Sequence, residues 1–222
     1  MHTHEKSTGF FITFEGPEGS GKTTQIHLLE KSLRRRGYEV VVTREPGGTE
    51  LGDAVRTLLL QRQDLAIGLR TEALLFNAAR AQLVDQIIRP ALDAGQIVLC
   101  DRYIDSTLAY QGYGRQVDIE ALRQVIDFAT GSLLPDLTLF LDLDPHQGLL
   151  RKQADAHGEW NRLDQETLDF HLAVRIGYQQ LIQSDPQRWV VVDAHHCRGD
   201  IQKIIWEHVQ TRLINHRGFV RR

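Results

Sequence analysis

The segment that decides the fold is Gly16-Pro17-Glu18-Gly19-Ser20-Gly21-Lys22-Thr23, which matches the pattern G-x-x-x-x-G-K-[ST]. The apolar run before it, Phe10–Phe14, predicts a buried strand, and Thr24–Arg36 after it predicts a helix. The glycines let backbone N–H groups face inward around a phosphate, and the helix N-terminus adds its positive dipole. Lys22 can reach the β and γ phosphates, and the Thr23 hydroxyl can bind Mg²⁺. We therefore predict an ATP site at Gly16, Pro17, Glu18, Gly19, Ser20, Gly21, Lys22, Thr23 and Thr24.

The composition is that of an ordinary globular protein, with 222 residues of which 41% are apolar and 25% are charged. The net charge of −3 argues against a nucleic-acid-coating role, which needs a basic surface. No apolar run approaches the roughly 18 residues of a membrane span. The two cysteines, Cys100 and Cys197, are far apart and suggest neither a zinc site nor a disulfide framework. We expect a cytoplasmic protein without a membrane or nucleic-acid partner.

The chain reads as one domain, because strand and helix patterns alternate without a linker, a low-complexity segment or an internal repeat. We place this domain at residues 10–214 and expect flexible ends at residues 1–9 and 215–222. Apolar runs predict five strands, at 10–14, 38–43, 96–101, 136–142 and 189–193. They show little alternation, which is typical of a parallel sheet covered on both faces. The fold class is therefore α/β, with three layers and a five-stranded parallel sheet.

Helical patterns occupy most of the sequence between the predicted strands. Thr71 is predicted to cap a long helix, and Pro90 to kink it or to mark its boundary. Ligands of such sheets bind beyond the carboxyl ends of the strands. The stretches that could carry chemistry each follow a strand, at 16–23, 44–49, 101–111 and 142–145. Their positions predict one shared site.

Two residues at the end of the third predicted strand are candidates for that site. Asp101 could hold Mg²⁺ directly or through water, and Arg102 could bind a phosphate in a bidentate manner, with two N–H groups of its guanidinium. An ion pair at the strand end is the alternative. Phe76 and Arg80 share one helix face and suit a base and its phosphate, although a Phe at helical spacing is more often a core residue.

Two further segments each allow two interpretations. Residues 110–115, Tyr-Gln-Gly-Tyr-Gly-Arg, could hydrogen-bond a base edge or could form a simple turn. Residues 152–164 carry both charge signs and few large apolar residues. They predict either a lid that closes over phosphates, excluding water and supplying cations, or an exposed loop. The cations of the lid would be Arg162 and the preceding Arg151.

Taken together, these motifs closely resemble the thymidylate kinase family, bacterial type, among the P-loop nucleoside monophosphate kinases. The phosphate loop alone fits many unrelated proteins, whereas the full set in this order is much more specific. The similarity extends from about Gly9 to Ile214. The matching pieces are 14–24, 43–49 (Thr-Arg-Glu-Pro-Gly-Gly-Thr), 72–82, 101–103 (Asp-Arg-Tyr), 106–112 and 135–142.

The resemblance implies that the γ-phosphoryl group of ATP is transferred to dTMP, giving dTDP and ADP, with Mg²⁺ as cofactor. Phe76 would stack on thymine, Arg80 and Arg102 would bind the dTMP phosphate, and Tyr110 would lie against the deoxyribose. The implied acceptor site comprises Glu18, Arg56, Phe76, Arg80, Arg102, Ser106, Thr107, Tyr110 and Gln111. The implied catalytic set is Lys22, Arg102, Arg151 and Arg162, with Thr23 and Asp101 at the metal. The resemblance also implies a cytoplasmic homodimer, packed through helices that include the one with Phe76.

The lid departs from the family pattern. Relatives with an acidic residue in the phosphate loop, as Glu18 is here, usually carry an arginine directly before a Gly-Glu pair in the lid. This chain has His157 at that position, and the segment that follows reads Asn161-Arg162-Leu163-Asp164. The resemblance leaves three candidates for the missing charge: Arg151, Arg162 and a protonated His157.

Three other functions fit the same motifs. The chain could phosphorylate another monophosphate or a deoxynucleoside, it could be an ATPase that switches a protein partner, or it could bind nucleotides without turnover. An ATPase switch would have no evident use for an acceptor pocket at Phe76 and Arg80. The dependence of ADP release on each acceptor separates these functions.

Overall fold

A five-stranded, all-parallel sheet with helices on both faces forms the centre of the protein, which confirms the predicted α/β three-layer fold. The computed structural model describes residues 9–154 and 160–216. The strand order is β2-β3-β1-β4-β5. The strands are β1 (Phe10–Glu15), β2 (Val40–Arg44), β3 (Ile97–Asp101), β4 (Leu137–Asp142) and β5 (Trp189–Asp193). Because β1 is central, the phosphate loop leaves the middle of the sheet.

Helices connect the strands and cover both faces of the sheet. They are α1 (Lys22–Arg34), α2 (Glu50–Arg56), α3 (Leu69–Leu83), α4 (Arg89–Asp93), α5 (Ile104–Thr107), α6 (Ile119–Thr130), α7 (Pro145–Ala154), α8 (Leu168–Ser184) and α9 (Arg198–Asn215). Three π-helical segments join or extend them, at Thr57–Gln61, Val84–Ile88 and Leu108–Gly114. In the part of the chain that the structure describes, no helix has the length and apolar content to cross a bilayer.

Alternate residues of β1 divide the apolar core into two layers. Ile12 and Phe14 pack on one face with residues of α1 and α9. Phe11 packs on the other face with residues of α3, α6 and α8. Glu15 has the same parity as Phe11, so its carboxylate enters the layer that holds α3 and α8. The sheet therefore brings a buried acid next to the candidate acceptor pocket.

Several predicted boundaries differ from the structure. The third helix begins at Leu69 after an extended Gly68, so the prediction of Thr71 as its N-cap is wrong. Pro90 follows a π-helical turn and stands in the first turn of α4, where its missing N–H is tolerated. Lys152 lies in α7, so the lid predicted at 152–164 begins as helix. Residues 155–159 of that lid, including His157, lie outside the described residues.

The domain ends also differ from the prediction. Gly9 is buried and donates its N–H to Leu92 O at 2.9 Å, so the ordered domain begins at least one residue before 10. At the other end, Asn215 completes α9 and the His216 ring contacts the Phe10 ring edge-on. Residues 1–8 and 217–222, which we expected to be flexible, lie outside the described residues.

Candidate active site

The phosphate loop connects β1 to the N-terminus of α1 and packs tightly against α7. Gly19 has φ +66°, and a Cβ there would lie 2.1 Å from Gly148 O, so only glycine fits. Helix α1 begins at Lys22, two residues earlier than predicted, because Gly21 turns the chain with φ +91°. The first N–H groups of α1 therefore point into the loop and form a site for anionic oxygens.

The Lys22 side chain folds back across the loop. Its Nζ donates to Pro17 O at 2.8 Å and to Gly16 O at 3.1 Å. Burial lowers the pKa of Lys22 to about 8, with a further contribution from the positive charge of Arg102. Among the described residues, its hydrogen-bond partners are carbonyl and hydroxyl oxygens. It is therefore a cation placed to exchange carbonyl contacts for phosphate contacts.

A cavity of about 1050 Å³ opens at the carboxyl edge of the sheet beside the phosphate loop. It collects predicted site residues from five chain segments that are distant in sequence. These residues are Glu18, Gly19, Gly21, Lys22, Thr23, Thr24, Arg56, Phe76, Arg80, Asp101, Arg102, Ser106, Thr107, Tyr110, Gln111 and Arg151. Gly16, Pro17 and Ser20 belong to the same loop but do not line the cavity, and neither does Arg162.

Arg102 lines this cavity next to the phosphate loop. Its Nη2 donates to Glu18 Oε1 at 2.6 Å and to Tyr110 Oη at 3.1 Å. Its guanidinium carbon lies 4.9 Å from the centre of the Tyr110 ring. Although burial opposes ionisation of Glu18, the positive charges of Arg102, Lys22 and Lys152 hold its pKa well below the usual range. A phosphate that reaches Arg102 would therefore compete with a carboxylate.

Arg80 is fully buried and its charge is already neutralised. Its guanidinium forms an ion pair with Glu45 at 2.7 Å, and Glu45 belongs to the Glu-Pro-Gly-Gly-Thr segment after β2. The same guanidinium donates to Asn77 Oδ1 and to Thr107 Oγ1, both at 2.8 Å. Sequence reasoning missed Glu45, although that segment was singled out. Arg80 thus ties α3 to the loop after β2 and to α5.

This pairing predicts a stability effect. Glu45→Ala would leave the Arg80 guanidinium buried without its counter-charge, and we expect the free energy of unfolding to fall by about 3 kcal/mol. Urea unfolding followed by circular dichroism measures this difference. Glu207→Ala, which removes an exposed carboxylate on α9, is the control. A loss below about 1 kcal/mol, the scale of an exposed ion pair, would show that the buried pair is not needed.

Phe76 and Gln111 line the same cavity. Phe76 packs in the apolar core, as one of its two interpretations predicts, and its surface also lines the cavity. Gln111 sits in the π-helical segment Leu108–Gly114 and donates to Glu72 Oε1 at 3.0 Å. An aromatic surface next to amide and hydroxyl groups is suited to a nucleobase.

The cations of the lid have separate partners. Arg151 donates to Ala194 O at 3.2 Å, beside the end of β5. Arg162 donates to Leu59 O at 3.0 Å and pairs with Glu72, so it braces the lid against α3. Lys152 instead contacts Glu18 Oε2 in the phosphate loop at 3.1 Å.

Sequence reasoning missed Lys152, although a signal for it was present. Helix α7 touches the phosphate loop through Gly148, where a Cβ would lie 2.2 Å from Glu18 O. Lys152 follows Gly148 by four residues and shares its helix face. Buried Asp164 holds the Lys152 ammonium at 2.8 Å. This geometry places one lid cation directly over the phosphate loop.

Two oxygen ligands suited to a divalent cation lie side by side at the base of the cavity. Thr23 Oγ1 donates to Asp101 Oδ2 at 2.9 Å, across the junction of α1 and β3. Hydroxyl and carboxylate oxygens are the ligands that Mg²⁺ prefers. The described residues contain no cluster of three or more His, Cys, Asp or Glu side chains that could hold a metal. A cation here would therefore share its coordination with nucleotide phosphates and water.

A buried carboxylate that sequence reasoning did not select lies beneath Arg102. Glu15 accepts hydrogen bonds from Tyr103 N at 2.8 Å, Ser106 Oγ at 2.6 Å and Tyr178 Oη at 2.7 Å. Burial, and then the charge of Asp105, raise the pKa of Glu15 from 4.5 to about 7, against the opposing effect of Arg102. The signal available in the sequence was the acid directly before the phosphate loop.

This raised pKa predicts a pH dependence of stability. The folded state binds the Glu15 proton more tightly than the unfolded state, so its contribution to stability is complete below about pH 4.5 and is lost as the pH rises through about 7. Glutamine does not titrate, so wild type should lose stability relative to Glu15→Gln across this window. Urea unfolding of both proteins from pH 4.5 to 8 measures the difference. If the free energies of unfolding of the two proteins changed with pH in parallel, the raised pKa of Glu15 would be contradicted.

Comparison with known proteins identifies the family. The family described as "Thymidylate kinase" matches residues 14–205. The chain belongs to the thymidylate kinase family. The match covers the phosphate loop, Phe76, Arg80, Arg102 and all five strands except the start of β1.

Individual thymidylate kinases are similar over nearly the whole chain. The thymidylate kinase of Thermomicrobium roseum is 58% identical over 197 residues, covering 89% of this chain and 92% of that protein. That of Deinococcus radiodurans is 50% identical over 208 residues, covering 93% and 98%. The crystal structure of thymidylate kinase from Ehrlichia chaffeensis has a TM-score of 0.74 at 33% identity and covers 91% of this chain and 99% of that one. Fold and family therefore agree.

Proposed function

We propose that this chain transfers the γ-phosphoryl group of ATP to dTMP, producing dTDP and ADP for dTTP synthesis. The observation that carries the proposal is that Lys22 of the phosphate loop and Arg102 line one cavity in a chain of this family. A donor triphosphate on the loop and an acceptor monophosphate at Arg102 would then meet in line. Transfer through a loose transition state depends mainly on such positioning and on charge neutralisation.

We assign the two substrates to opposite sides of the cavity. The phosphate loop, Gly16–Thr24, binds ATP through its N–H groups and Lys22. Arg102 binds the dTMP phosphate, and Phe76 stacks on thymine. The remaining acceptor contacts come from residues that line the same cavity: Glu18, Arg56, Ser106, Thr107, Tyr110 and Gln111. This assignment places the aromatic and amide groups at the base and the guanidinium at the phosphate.

We propose a role for Arg80 that differs from the phosphate binding that the family resemblance implies. Its side chain is paired with Glu45 and only 1% exposed, whereas that of Arg102 is 15% exposed, so Arg80 is less accessible to a phosphate. Its bond to Thr107 Oγ1 instead fixes a hydroxyl that faces the cavity. We therefore propose that Arg80 positions the acceptor pocket. No general base is needed, because the attacking oxygen of the dTMP phosphate is already anionic.

Thr23 and Asp101 would hold Mg²⁺, since their oxygens are adjacent and of the preferred type. The bound ion would neutralise charge on the β and γ phosphate oxygens. Thr23 is fixed by the first turn of α1, and Asp101 by the end of β3. The phosphate loop leaves the sheet at the same edge.

We further propose that Lys152 is the cation that the lid supplies to the transferred phosphoryl group. Lys152→Ala should lower kcat by about 10²-fold, as when one preorganised donor to a developing charge is removed. Lys152→Arg should retain most of the activity because it keeps the charge. Steady-state assays at saturating ATP and dTMP measure both variants, and Lys203→Ala on the exposed face of α9 is the control.

A Lys152→Ala enzyme with wild-type kcat would contradict this assignment. In that case Arg151→Ala and His157→Arg identify the charge donor among the other candidates. Loss of kcat in Arg151→Ala alone would assign the role to Arg151, and a gain in His157→Arg would assign it to position 157. Arg162→Ala should instead act through the brace with Glu72, changing stability more than kcat.

The decisive test of the function is a coupled ADP-release assay with dTMP, dUMP, dCMP, UMP and thymidine as acceptors. We expect ADP release to require an acceptor and to be fastest with dTMP. Release without any acceptor would favour an ATPase, and a preference for another acceptor would reassign the substrate. No release with any acceptor would favour a binding protein without turnover.

We also propose a cytoplasmic homodimer, with Mg²⁺ and ATP required for activity. The family resemblance supports this assembly, and α3 exposes Leu69 and Leu74 on its surface. Both side chains are about half exposed, at 48% and 56%. Sedimentation of wild type and Leu74→Glu tests whether this surface of α3 joins two copies.

A further inference from the structure

The backbone of Arg102 adopts an unusual conformation. Its φ is +69°, in the left-handed region that residues other than glycine rarely occupy. Such a conformation persists only where surrounding contacts impose it. The Arg102 N–H donates to Phe14 O at 2.9 Å, which extends the pairing of β1 with β3 to this point. The next N–H, that of Tyr103, turns away from the sheet.

Glu15 accepts that second N–H. Its Oε1 lies 2.8 Å from Tyr103 N, and the carboxylate is completely buried. The two N–H groups on either side of the Arg102 turn are therefore bonded to consecutive residues of β1, to the Phe14 carbonyl and to the Glu15 side chain. This pair of bonds holds the chain in the conformation that lifts the Arg102 side chain toward Glu18 and the phosphate loop.

The other oxygen of Glu15 controls two hydroxyl groups that touch the Arg102 guanidinium. Oε2 lies 2.6 Å from Ser106 Oγ and 2.7 Å from Tyr178 Oη. Arg102 Nη1 lies 3.2 Å and 3.3 Å from the same two oxygens. Ser106 Oγ and Tyr178 Oη are also 3.0 Å apart, so either hydroxyl can donate to the other. Above a pH of about 7 Glu15 is ionised and can only accept, so at least one hydroxyl donates to it and turns its lone pairs toward the guanidinium.

We infer that Glu15 is a positioning residue for recognition of the acceptor phosphate, because it fixes both the backbone turn and the side-chain direction of Arg102. This inference rests on the proposed function, in which Arg102 binds the dTMP phosphate. Glu15 is completely buried and does not line the cavity. Its effect on the substrate passes through Arg102.

Glu15→Gln tests this inference with little change of shape. The amide oxygen can still accept from Tyr103 N, but the amide nitrogen donates toward the two hydroxyls and turns their protons to the guanidinium. We expect the Kd for dTMP, measured by isothermal titration calorimetry without ATP, to rise at least about tenfold, as when a charge-assisted hydrogen bond is misaligned. The Kd for thymidine, which has no phosphate, should change by less than about twofold.

Asp142→Asn is the control, because Asp142 is an acid at the end of the neighbouring strand β4, pairs with Arg175 and does not line the cavity. It should not change dTMP binding selectively over thymidine. A general loosening of the fold would weaken both ligands, and that result with Glu15→Gln would overturn the inference. Should Glu15→Gln fail to fold, Tyr178→Phe removes one of the two oriented hydroxyls from a residue that does not line the cavity, and it is measured with the same two ligands.

A double-mutant cycle separates this inference from the proposed function. In an Arg102→Ala background, adding Glu15→Gln should weaken dTMP binding by less than about twofold further, since both act on one contact. If the two substitutions weakened dTMP binding by factors that multiply in the double mutant, the inference would be overturned. If Arg102→Ala loses the preference for dTMP over thymidine while Glu15→Gln keeps it, the inference fails and the function stands. If wild type does not prefer dTMP to thymidine, the proposed function fails.

Discussion

Arg102→Ala should lower kcat/KM for dTMP by about 10³-fold while the protein remains folded. The guanidinium is the cation placed between the phosphate loop and the acceptor side, and removing one such preorganised donor typically costs this much. The fold should survive because the half-buried Glu18 carboxylate keeps Lys152 at 3.1 Å and remains near Lys22. Steady-state kinetics with varied dTMP at saturating ATP measures the loss.

Arg175→Ala provides the control for Arg102. Arg175 is paired with Asp142 at 2.9 Å and does not line the cavity, so its loss should leave kcat/KM within about twofold. Circular dichroism and thermal unfolding of both variants confirm the fold. A folded Arg102→Ala protein with near wild-type kcat/KM would refute the assignment of Arg102 to the acceptor phosphate.

Lys22→Met should reduce kcat/KM for ATP by a similar factor, about 10³-fold. Methionine keeps the length of the side chain and removes the ammonium, which the structure holds against the carbonyls of Gly16 and Pro17 inside the phosphate loop. The N–H groups of the loop remain, so ATP should still bind but with less neutralisation of its β and γ phosphates. Kinetics with varied ATP at saturating dTMP measures the effect.

Lys31→Met is the matched control for Lys22, since Lys31 is an exposed lysine on the same helix, α1. It removes the same charge from the molecule without touching the cavity. Activity of Lys22→Met within tenfold of this control would show that the loop N–H groups and the metal suffice. The transfer mechanism would then have to rely less on Lys22 than we propose.

Local patterns predicted the parts of the site that depend on neighbouring residues. The phosphate loop, Asp101-Arg102 and the strands around them follow from short motifs at strand ends, because a parallel sheet gathers those ends at one edge. The ends of α6 follow from residue types, since the Asp118 side chain caps its N-terminus and a left-handed Gly131 ends it. The predicted helix boundary was wrong where no side chain caps the helix, as at Gly68 before α3.

Partners distant in sequence could not be predicted in this way. Glu45 and Arg80 are 35 residues apart, and Glu18 and Lys152 are 134 apart. Nothing in the local sequence distinguishes an arginine that will meet a phosphate from one whose charge is cancelled by a buried carboxylate. The difference arises only when α3 packs beside the loop after β2.

The amino-acid sequence alone determined the fold class, the family resemblance and the place of the phosphate loop, because these depend on periodicity and on motifs read over a few residues. The tertiary structure decided which charges are free and which are paired. It set Arg80 against Glu45, Lys152 over Glu18 and Glu15 beneath Arg102. The physical reason is that the strength and direction of a charge depend on burial and on close partners, and both exist only once the chain has folded.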